Sequence, residues 1–146
     1  MEKVIFLVGR ILIGQLFLLA GINKIFDIAG TQGYMEAMGV PGELLPLVII
    51  LEIGGAIALI VGWKTRWTAG ALAVFSISAA FVFHANFTDQ VQMVMFMKNI
   101  AIAGGLMFIA AHGVSRYSLD GRLAGRNRSQ QKRDTTGAPP LQGTTS

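Results

Sequence analysis

The chain has 146 residues, 53% of them hydrophobic and only 14% charged, with a formal charge of +4. A soluble domain of this size carries about 25% charged residues, so the composition is that of one small membrane domain. The absence of cysteine excludes structural disulfides, thiol relay, thiolate metal sites and covalent c-type haem attachment. The two histidines, His84 and His112, stand in different apolar segments and do not suggest a metal centre.

The first apolar segment runs over about 4–26 and contains Arg10, Gln15, Asn23 and Lys24. Its length, and its ending in Gly21-Ile22-Asn23-Lys24 rather than a small-residue cleavage motif, mark it as a retained helix and not a secretory signal. Arg10, Gly14, Phe17, Gly21 and Lys24 are spaced by four, three, four and three residues, which places them on one helical face. Gly14 and Gly21 on that face would let a second helix approach closely. Lys24, near the segment's end, and Arg10 also fit simple snorkelling to an interface.

A connection over about 27–43 follows, in which Val40-Pro41-Gly42-Glu43 reads as a turn into the next helix. Whether Tyr34-Met35-Glu36-Ala37-Met38 is helical is open. The second segment, about 44–63, has Glu52 as its only charge before the terminal turn, with small residues Gly54 and Gly55 suited to packing. Glu52 is far from both interfaces. Depth along the helices places it between Arg10 and Lys98, either of which is a candidate partner.

The third segment, about 67–85, has no charge when His84 is neutral, and the fourth, about 91–111, has only Lys98. Lys98 and Asn99 are adjacent and therefore point about 100° apart. His84 could pair with Glu52, hold an acidic head group, donate to a carbonyl, or be an ordinary interfacial side chain among Phe81, Phe83 and Phe87. Each segment is long enough to cross about 30 Å of hydrocarbon. A soluble bundle would show polar outer faces, and Ile57-Ala58-Leu59-Ile60-Val61 and Ala69-Gly70-Ala71-Leu72-Ala73-Val74-Phe75 are apolar all round. Four strands cannot close a membrane barrel.

The turn Trp63-Lys64-Thr65-Arg66-Trp67 and Lys3 are basic, and six basic residues lie from Arg116 to Arg133, whereas the connections at about 27–43 and 86–90 contain no Lys or Arg. The positive-inside rule therefore predicts that both termini are cytoplasmic. The expected architecture is all-α: an integral membrane four-helix bundle over 1–119, followed by a basic, disordered cytoplasmic tail over 120–146. The basic tail suits anionic membrane lipids, and nucleic-acid binding is not expected.

Gly9-Arg10, Ala20-Gly21-Ile22-Asn23-Lys24-Ile25, Leu51-Glu52-Ile53-Gly54-Gly55, His84 and Lys98-Asn99-Ile100-Ala101 occur in that order across the four segments. In this arrangement, over about residues 4–119, the chain resembles the DoxX family of small bacterial inner-membrane proteins. The resemblance implies an accessory protein or subunit of a redox or envelope-stress system, with a soluble redox partner and with quinone as a candidate carrier. Arg10, Lys24, Glu52, His84, Lys98 and Asn99 are then the candidates for a polar core or ligand site. No catalytic residue, metal or resident cofactor is assigned. A quinone-linked oxidoreductase subunit and a small transporter, which would need a homo-oligomer to enclose a path, are the alternatives.

Overall fold

The computed structural model describes residues 2–112 together with Asp120, Arg126 and Gln131. Its elements are α1 (Glu2–Phe26), α2 (Ile28–Ala37), a 3-10 turn (Gly42–Leu44), α3 (Leu45–Val61), α4 (Thr65–Phe83) and α5 (Gln90–His112). Four of the helices, α1, α3, α4 and α5, are long and apolar enough to cross a membrane. At most 28% of the most apolar window of any of these helices is buried within the chain. The remaining apolar surface faces outward, as a lipid solvent requires and water would not tolerate.

The helix boundaries follow from local chemistry. Asp27 caps α2, its carboxylate accepting from the Gly30 amide at 3.0 Å. Pro46 lies in the first turn of α3, where its missing amide hydrogen costs nothing. Gly62, at φ 76°, ends α3 in the left-handed region, and its amide donates to the Ala58 carbonyl at 2.9 Å. The 34–38 stretch left open by the sequence is settled as the end of α2 and its cap, with Met35 buried beneath it.

α1 packs chiefly on α3 and α4 chiefly on α5, and α3 lies against α4 to join the two pairs. The core is built from Phe17, Leu59, Leu72 and Leu106 with alanines 56, 69, 73 and 103 between them. Small residues at these positions let the helix backbones come close where burial of apolar surface gives little advantage over lipid. Gly55 belongs to this seam: a Cβ there would stand 2.9 Å from Leu72 Cδ2. Gly54 does not, because a Cβ on it meets nothing within 4 Å. The expectation that Gly54 packs a helix is therefore corrected. It is one residue, about 100°, away from the seam, and faces outward.

The bundle has two distinct ends. The start of α1, the α3–α4 turn and Asp120 lie at one, called here the basic end. The end of α1, α2 and the α4–α5 connection lie at the other, the α2 end. Asp120 is the first residue of the expected tail, and its amide donates to the Gly62 carbonyl at 3.2 Å. Apart from Arg126 and Gln131, the rest of that tail lies outside the described residues.

Candidate functional site

The face predicted on α1 is the one the bundle covers. Arg10, Gly14, Phe17 and Gly21 are buried, and Lys24 is half-buried at its end. The flanking Gln15 and Asn23 are exposed. Both glycines mark close approach to α3. A Cβ on Gly14 would lie 2.6 Å from Ile60 Cγ1, and a Cβ on Gly21 would lie 2.6 Å from Ile53 Cγ1 and 3.3 Å from Glu52 Cβ.

The contact at Gly21 brings Lys24 onto Glu52. Lys24 Nζ stands 2.8 Å from Glu52 Oε2 and donates to Oε1 at 2.9 Å, with the Ala20 carbonyl 3.5 Å away. The side chains are 25% and 5% exposed, so the carboxylate is the deeply held partner. The pairing corrects the sequence expectation that Glu52 meets Arg10 or Lys98. Depth counted along helix axes ignores side-chain direction. Glu52 lies about 10 Å into α3, and Lys24 about 3 Å from the end of α1. Side chains on a helix tilt toward its N-terminus, so the long Lys24 stem reaches back to the carboxylate's level.

The ion pair borders a cavity of about 260 Å³ in the α2 half of the bundle, between α1, α2, α3, α4 and α5. Its wall includes three further predicted residues: His84, Lys98 and Asn99. Asn99 is half-buried and Lys98 exposed, so adjacent residues 100° apart reach the same cavity, one inside and one at its rim. Lys98 Nζ lies 3.1 Å from Met95 Sδ. His84 ends α4, and its Nδ1 is 2.7 Å from Gln92 Oε1 in the first turn of α5, which fixes the ring at the cavity edge and away from an ion pair with Glu52. On the side of α2, Thr31, Tyr34 and Met35 cover the cavity. The Tyr34 ring lies on Phe83 at 5.6 Å, and its hydroxyl donates to the Phe83 carbonyl at 3.4 Å.

Ser76 was not singled out from sequence. It is 2% exposed, lines the cavity, and its Oγ has no hydrogen-bond partner among the described residues. A serine in an apolar helix normally bonds back to a carbonyl one turn earlier, so nothing in its sequence context distinguishes it.

Arg10 does not reach this cavity. It is 2% exposed at the basic end, where its charge acts on Asp120. The Asp120 carboxylate accepts from the Lys64 amide at 2.9 Å, the Thr65 amide at 2.8 Å and the Thr65 hydroxyl at 3.0 Å. It thereby caps α4, whose preceding residue Lys64 sits at φ 45° and offers no side-chain cap. Burial pushes the Asp120 carboxyl up. The Thr65 and Lys64 amides, the Thr65 hydroxyl and the Arg10 charge outweigh this and hold it below its ordinary value of 3.8. Asp120 too escaped sequence reading, because it lies 55 residues from Thr65 within a basic stretch. Among the described residues no group of three or more His, Asp or Glu side chains could hold a metal ion.

The DoxX family model matches residues 5–85. Inner membrane protein YqjF of Escherichia coli (strain K12) is 52% identical over 120 residues, covering 82% of this chain and 92% of the relative. Inner membrane protein YphA of the same organism is 30% identical over 129 residues, covering 83% of this chain and 91% of the relative. No solved structure matches the chain. Matches of this extent, on a chain with four membrane-length helices, show that it belongs to the DoxX family as a multi-pass bacterial inner-membrane protein of the YqjF/YphA-like group.

Proposed function

We propose that this protein is an accessory component of a redox or envelope-stress system, and that its cavity binds the head group of a small amphiphile. One observation carries the reading. A cavity between the membrane-length helices is bordered by the Lys24–Glu52 pair, Ser76, His84, Lys98 and Asn99. Polar groups at such depth are costly and mark ligand or ion sites when they converge. The volume of about 260 Å³ suits a single head group with part of a chain. The groups facing it suit a head group whose oxygen atoms accept hydrogen bonds, quinone carbonyls included. A soluble partner supplies any redox chemistry in this reading, since the chain contains no cysteine.

The positive-inside rule supports an orientation with both ends of the chain in the cytoplasm, because Lys64 and Arg66 flank the α3–α4 turn while 27–43 and 86–90 lack basic residues. The cavity then opens in the outer half of the membrane. Native mass spectrometry of protein extracted gently from its own membrane tests the ligand reading. The expected spectrum shows one small amphiphile per chain beyond bulk phospholipid, absent in Ala79→Phe, where the added ring fills the cavity. Bulk phospholipid alone on the wild-type chain, or the same adduct on a folded A79F, would overturn it.

A further inference from the structure

Three formal charges border the cavity: Lys24, Glu52 and Lys98. Lys24 Nζ lies within 2.9 Å of both Glu52 oxygens, so the two charges cancel locally, although only Oε1 accepts a hydrogen bond from it. Lys98 forms no ion pair among the described residues, and its ammonium donates to the Met95 thioether at 3.1 Å. It is the ninth residue of α5, about 12 Å from that helix's start. The cavity thus carries one positive charge more than it neutralises. Independently, the buried Ser76 hydroxyl lines the same space without a partner among the described residues. An ammonium only donates, and a hydroxyl can donate.

We infer that the cavity selects a single-chain amphiphile with a monoanionic oxygen head group, of the carboxylate type, held by Lys98 and Ser76. An anion neutralises Lys98, which a neutral carbonyl leaves uncompensated, and a charged acceptor makes the stronger hydrogen bond. The apolar wall formed by Leu16, Val48, Phe75 and Ile102 accommodates the tail. A volume of about 260 Å³ lies just below the range of ordinary ligand sites, about 300–1,000 Å³, and is too small for a two-chain phospholipid. This inference rests on the cavity reading above and adds the sign of the ligand's charge.

The test is a titration of the full chain, in an uncharged detergent and followed by native mass spectrometry, with decanoate, decanol and decylamine. Decanoate is expected to bind one per chain, about tenfold or more tighter than decanol, with decylamine not retained. Lys98→Gln should abolish the preference for decanoate without lowering the melting temperature, since Lys98 forms no ion pair among the described residues. Ser76→Ala should weaken decanoate severalfold. Equal binding of decanoate and decanol, or an undiminished preference in K98Q, overturns the anionic head group and leaves the cavity reading intact. Failure of all three probes to bind overturns both.

Discussion

At the basic end, the Arg10 charge acts on Asp120, and Asp120 caps the first turn of α4. Three donors converge on one carboxylate, a buried guanidinium lies within its field, and α4 gains a cap. At the α2 end, Lys24 and Glu52 offset each other's charge, but Glu52 Oε2 and Ser76 Oγ accept no hydrogen bond among the described residues, and Lys98 borders the same cavity without an ion pair there. Both ends hold charge in a low-dielectric setting. At the basic end the buried Arg10 faces a carboxylate, whereas at the α2 end Lys98 faces none among the described residues. The difference separates polar groups paired within the fold from polar groups left bordering a cavity, and residue type alone does not separate them, since each end has a cation and a carboxylate.

The largest effect should come from unpairing Glu52. Lys24→Met leaves a carboxylate 5% exposed without its cation, and removing one partner of a buried pair costs about 3–5 kcal/mol. Glu52→Gln leaves instead a half-exposed lysine with access to the interface, so its cost should be smaller. Exposed Glu36→Gln should be near neutral. Thermal unfolding in detergent should therefore rank K24M below E52Q, and E52Q below E36Q. The double variant K24M/E52M should regain most of the lost stability, because an apolar pair avoids desolvation altogether. If K24M and E36Q melted together, the pair would be contributing nothing to the fold, and the contrast between the two ends would fail.

The glycines give the next effect. Gly21→Ala places a methyl 2.6 Å from Ile53 Cγ1, at the crossing that sets Lys24 over Glu52. Forcing extra volume into a packed contact costs about 1–3 kcal/mol. Gly54→Ala meets open space and should be neutral or stabilising by up to about 1 kcal/mol, the helix-propensity difference. Equal melting temperatures for G21A and G54A would show that α1 and α3 can separate freely, and that the Lys24–Glu52 geometry does not depend on their approach.

These two sets of variants also mark what the sequence could and could not disclose. The four spans and the buried face of α1 were legible because hydropathy and helical spacing are local properties: Arg10, Gly14, Phe17 and Gly21 are buried together as their four-three-four spacing requires. The cavity was legible only as separate members, His84, Lys98, Asn99, Lys24 and Glu52, since their convergence depends on how helix pairs cross. Glu52's partner was missed because side-chain tilt shifts Lys24 by about a helical turn. Gly54 and Gly55 are indistinguishable in sequence, and only the position of Leu72 tells them apart. Ser76 and Asp120 gave no signal, being a commonplace residue in an apolar helix and a lone acid among bases.

The smallest effect isolates the closed end, and its sign follows from Asp120. Its carboxyl is held below 3.8 in the folded chain because burial, which raises it, is outweighed by the Thr65 and Lys64 donors and by Arg10. A carboxylate with a depressed folded value stabilises the fold fully above its unfolded value. That contribution is lost as pH falls from about 3.8 through the folded value. Asp120→Asn keeps one acceptor but loses the charge facing Arg10 and the helix start, and loss of a cap costs about 1 kcal/mol. At neutral pH, D120N should melt slightly below the wild type. The gap between the two should close as pH is lowered below 3.8, because the wild-type side chain then becomes as neutral as the amide. Comparing the two proteins at each pH cancels the titration of every other carboxylate. A gap constant down to the acid limit would mean that shape rather than charge joins Asp120 to α4. A gap that widened would mean that the amide fits the folded state worse than the protonated acid does. In either case the basic end would no longer stand as the place where the chain spends its buried charge on itself.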